Sequence, residues 1–144
     1  VHHQLESNTV TIELNRRHPG ATAQTISIRT HNLTADMTIA EGGGDEGPSP
    51  HDLYDAALGA CKALTVLWYA NKKGIPVQDI RTSVTSDNTQ ERAGVYKIDA
   101  KLYVSGDLTD AQIRELETVA GKCPVHKLMT QATTEISTSM ERLS

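Results

Sequence analysis

Two thiols carry the chemistry open to this chain. Cys61 and Cys123 are its only cysteines, and a thiolate is at once a nucleophile, a reductant and a metal ligand. Free cysteine is most often a small buried hydrophobe, so position has to lift either one above that role. Cys123 precedes a proline in Gly-Lys-Cys-Pro-Val-His, residues 121–126, at the N-cap of a short helix expected over residues 124–131. Unpaired N–H groups and the helix dipole favour a thiolate there. Cys61 lies about three turns inside a long helix, where the dipole effect has faded. Its thiolate needs another donor or a cation, such as a guanidinium folded against it. Lys62 adjoins it in sequence but points about 100° away around the helix. Cys123 is therefore expected to be the more acidic thiol, and the spacing leaves open which of the two attacks.

Other chemical signals are thinner. Histidines at 18, 31, 51 and 126 form no C-x-x-C or H-x-x-x-H spacing, and Cys123 with His126 is only half of a metal site. No metal or cofactor is expected. Residues 42–47, Gly-Gly-Gly-Asp-Glu-Gly, satisfy G-x-G-x-x-G literally. A dinucleotide fingerprint needs a buried strand before it and a helix opening inside it. Here Asp45 and Glu46 would repel phosphates and the helix begins later, so the segment reads as a loop.

The element that must position Cys61 is that long helix, from the Gly-Pro-Ser-Pro of residues 47–50 to Gly74. Ser49 suits the N-cap, Pro50 the first turn, and Asp52 the reciprocal position of a capping box. Lys72, Lys73 and Gly74 suit its end. Leu53, Ala57, Ala60, Leu64 and Leu67 recur at helical spacing, with Leu58, Thr65 and Trp68 widening the stripe. A helix this apolar, about 35 Å long at ~1.5 Å per residue, is expected to be largely buried.

Around it the chain alternates. Residues 9–14 read as a half-buried strand with Val10, Ile12 and Leu14 inward, 25–29 as its hairpin partner, and 36–40 as a short third strand. Residues 80–85 and 96–104 read as a second hairpin, the latter with Tyr96, Ile98, Ala100, Leu102 and Val104 on one face. Thr109 and Gln112 box the start of a second helix, with Ile113, Leu116, Val119 and Ala120 inward and Gly121 at its end. A last strand is expected over residues 134–140. Antiparallel hairpins on a central helix make an α+β fold.

At 144 residues the chain, 1–144, is read as one domain with its own core. Residues 1–8 are read as a tail or tag remnant, so His2 and His3 are set aside. A net charge of −4 offers no basic face to nucleic acid or an anionic membrane. No apolar run approaches a membrane span and no signal peptide is visible. Two cysteines do not make a secreted disulfide framework, and a cytoplasmic setting is expected. Phenylalanine is absent and aromatics are 3%, so Leu, Ile, Val and Ala must build a small-sided core, one that a second copy of the chain could share.

The Gly-Pro-Ser-Pro of 47–50, the Asp-Ala-Ala-Leu-Gly-Ala-Cys of 55–61 and the Gly-Lys-Cys-Pro-Val-His-Lys-Leu of 121–128 together resemble the OsmC/Ohr family of thiol-dependent hydroperoxide reductases. The order of strands and helices matches too, so the resemblance spans nearly the whole chain. It implies an intertwined homodimer with two active sites at the interface. It also implies that Cys61 is the peroxidatic thiolate and Cys123 the resolving thiol. Cys61 would attack the O–O bond and become a sulfenic acid; Cys123 would condense with it to a disulfide, and an external dithiol, often a lipoyl protein in the family, would reduce that by exchange. Leu58, Leu64 and Trp68 would line an apolar pocket with His51 at its edge, favouring organic hydroperoxides at about 0.8 kcal/mol per buried CH₂.

Two departures stand out. The organic-hydroperoxide branch carries a glutamate at the position of His51, where it orients an arginine onto the peroxidatic sulfur. His51 cannot accept a guanidinium as a carboxylate does. Asp52 faces elsewhere, and Glu41 or Glu46 could substitute only through loop geometry. Arg17 matches the arginine best and Arg16 second. Lys62 stands where many members have an apolar or aromatic residue. These features suggest an OsmC-like subgroup with retuned peroxidase activity; the alternative is a dimeric small-molecule-binding protein with little turnover.

Overall fold

The computed structural model describes residues 9–143. In order, the elements are β1 (Glu13–Arg16), β2 (Gln24–Ile28), β3 (His31–Ala35), a 3₁₀ turn (Ile39–Glu41), α1 (Pro50–Lys73), β4 (Asp79–Asp87), a 3₁₀ turn (Glu91–Ala93), β5 (Lys97–Ser105), α2 (Asp110–Ala120) and α3 (Pro124–Thr130). The strands form two antiparallel sheets, β1-β2-β3 and β4-β5. The fold class is α+β, as the sequence reading has it. The chain divides into two units between Tyr54 and Asp55, with the first turn of α1 in the first unit and the rest in the second.

In the first unit, Leu14 lies opposite Ile26, and Ile26 opposite Leu33. Ala23, Ile26 and Ala35 are buried. Two expectations fail here. Residues 9–12 are not strand, and Val10, Ile12 and Leu14 are exposed, because no second layer of this unit covers that face of β1. The third strand is not 36–40 but the segment just before it. Arg29 takes φ +54°, a left-handed turn residue that sends the chain straight back into pairing. Strand pairing then stops at Asp36. Its buried carboxylate accepts the amides of Met37, Gly44 and Glu46 and the Thr22 hydroxyl, so the backbone curls instead of extending. A Cβ at Gly43 or Gly47 would collide with the Met37 or Thr34 carbonyl. The glycine-rich loop is thus a tight structural loop wrapped on a carboxylate.

The helix α1, most of which belongs to the second unit, has the predicted bounds. Ser49 and Asp52 exchange amide-to-side-chain bonds at 3.0 and 3.1 Å, the reciprocal capping box. Gly74 at φ +70° ends the helix. The buried stripe differs from the expected one: it runs Leu58, Gly59, Lys62, Val66, Ala70, while Leu64 and Trp68 are 65% and 63% exposed and Leu67 also faces out. The expected stripe lies rotated around the helix from the observed one because Lys62 faces inward. Val66 and Ala70 form a core with Ile75, Leu116 and Ala120, against which Ile80 and Leu102 pack. Gly59 lets β4 come close, since a Cβ there would lie 2.6 Å from Val84 Cγ2.

β5 alternates as expected, with Ile98, Ala100, Leu102 and Val104 half-buried. Thr109 and Gln112 form the predicted capping box of α2, but Ile113 is 42% exposed and only Leu116 and Ala120 are fully inside. The expected strand over 134–140 is not formed. Residues 132–143 pair with no strand among the described residues, and Ile136, Met140 and Leu143 are exposed.

Candidate active site

The second unit brings Cys61, from the middle of α1, to the turn joining α2 and α3. Cys123 is the N-cap of α3, with φ −66° and ψ 150°, and is fully buried. Both cysteines are free thiols, and Cys61 is half-buried. The first turn of α3 divides its unpaired amides between them. Val125 N–H donates to Cys61 Sγ at 3.4 Å, and the His126 amide is directed at Cys123. Cys61 thus has the donor that its position inside α1 denies it.

The acidity expected of Cys123 from its N-cap position is corrected here. Loss of water pushes the Cys123 thiol above its ordinary value, and its contact with Cys61 pushes the same way; the His126 amide and the Lys62 charge pull it down by less. The N-cap position favours a thiolate, but complete burial outweighs it.

Lys62 is a residue whose place the sequence did not reveal. It is 8% exposed, and its Nζ donates to the Ala120 carbonyl at 3.0 Å and lies 2.9 Å from His126 Nδ1. The available signal was the i, i+4 row Leu58-Lys62-Val66-Ala70, which becomes continuous only if the lysine is allowed inside. His126, weighed as half of a metal site, is instead the lysine's partner. Among the described residues no three His, Cys, Asp or Glu side chains cluster as metal ligands.

The other candidates fall in different places. Arg16 Nε donates to the Ala21 carbonyl at 2.6 Å, closing its own turn. Arg17 instead pairs with Glu46, Nη1 to Oε1 at 3.4 Å, and His18 Nε2 stands 3.4 Å from the other oxygen of that carboxylate. Glu46 therefore reaches the better-matched arginine through loop geometry, held in place by its own amide's bond to Asp36. His51 sits in the first turn of α1 and is exposed. Leu58 is buried, whereas Leu64 and Trp68 are open, with Lys72 Nζ 5.2 Å from the Trp68 ring centre.

This arrangement, an antiparallel α+β fold with one cysteine inside the central helix and another at the cap of a following short helix, defines a class of thiol proteins. The profile of the OsmC-like protein family matches residues 42–139, more than half of the chain. The chain belongs to the OsmC family. It is similar in structure to an OsmC-like protein from Mycoplasma pneumoniae, with a TM-score of 0.70 at 18% identity over 87% of this chain and 89% of that one. It is also similar to an organic hydroperoxide resistance protein OsmC from Legionella pneumophila (TM-score 0.62, 20% identity, 85% and 90% of the two chains). A third is the organic hydroperoxide resistance protein OhrB of Bacillus subtilis (TM-score 0.57, 24% identity, 85% and 91%). At these identities the likeness speaks to the fold. No curated protein sequence matches the chain. No helix among the described residues is long and apolar enough to cross a membrane.

Proposed function

We propose that this protein is a thiol-dependent peroxidase that reduces organic hydroperoxides, with Cys61 as the nucleophile. The observation that carries the reading is the half-buried Cys61 sulfur accepting the Val125 amide beside a second free thiol. An N–H aimed at sulfur stabilises the thiolate. Cys61 thiolate attacks the hydroperoxide's outer oxygen, the O–O bond breaks, and the alkoxide leaves and takes up a proton as the alcohol. Cys61 is left as the sulfenic acid. Cys123 then attacks Cys61 Sγ, the S–S bond forms, and hydroxide leaves as water with the Cys123 proton. An external dithiol restores both thiols by exchange, which requires a reducing compartment such as the cytoplasm.

Arg17 is the proposed orienter of thiolate and substrate, and Glu46 the carboxylate that holds it, in place of the family glutamate replaced by His51. Leu58, Leu64 and Trp68 are proposed to line the alkyl site. The exposure of Leu64, Leu67 and Trp68, together with Ile136 and Met140, supports a homodimer in which a second copy covers them. Organic hydroperoxide resistance is what two of the structural relatives are described as providing.

The test is single-turnover oxidation of the reduced protein with one equivalent of cumene hydroperoxide or of H₂O₂, with products read by mass. Fast loss of both thiols, faster with the organic peroxide and ending in a Cys61–Cys123 disulfide, is the expected result. Thiol loss no faster than that of free cysteine, or full peroxide consumption by Cys61→Ser, overturns the reading. His51 in the glutamate's place favours a second reading, a dimeric binding protein with little turnover; a co-purified apolar ligand with both thiols still reduced under peroxide would mark it.

A further inference from the structure

Burying an ammonium is costly unless an opposite charge or a full set of acceptors accompanies it. Lys62 is about nine-tenths buried, and among the described residues no carboxylate lies within ion-pair distance of its Nζ. Its contacts are a carbonyl oxygen and an imidazole nitrogen. An ammonium has donors only, so a charged Lys62 donates both to the Ala120 carbonyl and to His126 Nδ1. The two partners also bracket the resolving cysteine. Ala120 ends α2 three residues before Cys123, and His126 lies in α3 three residues after it. The lysine thus clamps both ends of the segment that carries Cys123, and its charge acts on that thiol.

We propose that Lys62, fixed by the Ala120 carbonyl and the His126 ring, is the positioning residue and internal counter-ion for Cys123 in the disulfide-forming step. The inference rests on the peroxidase reading above. As Cys123 gives up its proton and attacks the Cys61 sulfenic acid, negative charge forms at a sulfur out of reach of water. Lys62 is the cation already there to offset it. Once the S–S bond is made and water has left, the thiolate is gone and the lysine is left with its carbonyl and imidazole contacts. The titratable and charged groups facing this junction are Cys61 and Lys62 from α1, and Cys123 and His126 from the cap and first turn of α3. Glu117 of α2 and Lys101 of β5 line the cavity on which Lys62 opens.

The experiment times the two steps separately after one equivalent of cumene hydroperoxide, by mass with a sulfenic-acid trap, from pH 6 to 10. In Lys62→Met the disulfide step, taken relative to sulfenic-acid formation in the same sample, should slow about tenfold at pH 7, the size expected when one charge near a reacting group is lost. Its pH midpoint should rise, and trapped sulfenic acid should accumulate. Lys62→Arg, which keeps the charge, should restore rate and midpoint; Lys62→Gln carries the same test if the methionine variant does not fold. A disulfide step with wild-type rate and midpoint in the uncharged variant overturns the proposal. A second measurement needs no peroxide: the pH midpoint for alkylation of Cys123 in Cys61→Ser, with and without Lys62→Met. A rise upholds the counter-ion role and no change overturns it. If wild-type Cys61 is not oxidised at all, the peroxidase reading fails, and this second measurement still decides whether Lys62 serves Cys123.

Discussion

Two regions of the molecule handle charge in opposite ways. Around Asp36 and Glu46 the groups are many, matched and mostly at the surface. One buried carboxylate gathers three backbone amides and a hydroxyl, and the next pairs an arginine and a histidine at the edge of solvent. Around Lys62 there is one buried cation, no carboxylate among its contacts, and two thiols. The first arrangement fixes a backbone shape, and an exposed pair such as Arg17–Glu46 contributes little to stability by itself, about 0–1 kcal/mol. The second leaves a charge whose best partner exists only when a thiolate forms. Matched charge builds structure; unmatched buried charge is poised for a reaction.

The sharpest way to break this contrast is at the sulfurs. Cys123→Ser should still consume the first equivalent of hydroperoxide but stop there, with steady-state turnover on dithiol falling by roughly 10²-fold or more, since the resolving nucleophile is gone; stopped-flow peroxide consumption gives both numbers. Unimpaired turnover would mean that an external thiol reaches Cys61 directly. Glu46→Gln comes next. If that carboxylate acts only by holding Arg17, the Cys61 oxidation rate should fall about tenfold while the urea midpoint stays near wild type, because misplaced orienting groups affect rates more than folding. A rate that does not move removes Glu46, and with it the Arg17 assignment, from the site.

Stability experiments probe the two regions more gently. Gly59→Leu places a side chain where Val84 Cγ2 already lies 2.6 Å from a Cβ, and should destabilise the protein by about 1–3 kcal/mol, read from urea unfolding. The smallest effect belongs to Asp36. Its carboxyl is held below the ordinary 3.8, first by the Thr22 hydroxyl and then by backbone amides including that of Glu46. A group depressed on folding contributes stability that is fully present above its unfolded value and is lost as pH falls through the folded one. Asp36→Asn should therefore lower stability at pH 6 and flatten the acid limb below about pH 4. A variant with an unchanged acid limb would show that other carboxylates govern it.

The site was legible in part. Both cysteines, the bounds of α1 and the caps of α1 and α2 could be read directly, because a capping box and a terminal glycine are local rules satisfied by residues a few positions apart. The acidity of Cys123 is not legible in the sequence, since the N-cap argument is local while the burial that outweighs it comes from the whole packed unit. Val125 could not have been singled out, because its part is played by a main-chain N–H that any residue carries. Lys62 stands out in the sequence as a neighbour of Cys61 that points away from it and as a departure from the family, and its polarity turns the predicted buried face of α1 toward Leu64 and Trp68.

By itself, then, the sequence determined the α+β class, the long helix with its thiol, the second hairpin and the glycine-rich stretch as a loop. Each of these follows from periodicity and from backbone constraints that act over a few residues. Tertiary structure decided which face of α1 turns inward, which amide reaches which sulfur, and that Glu46 reaches Arg17 across the loop. It also left residues 134–140 without the strand pairing that their pattern suggests. Those outcomes depend on residues far apart in the chain, and the burial, dielectric and hydrogen-bond partners that set them do not exist until the chain has folded.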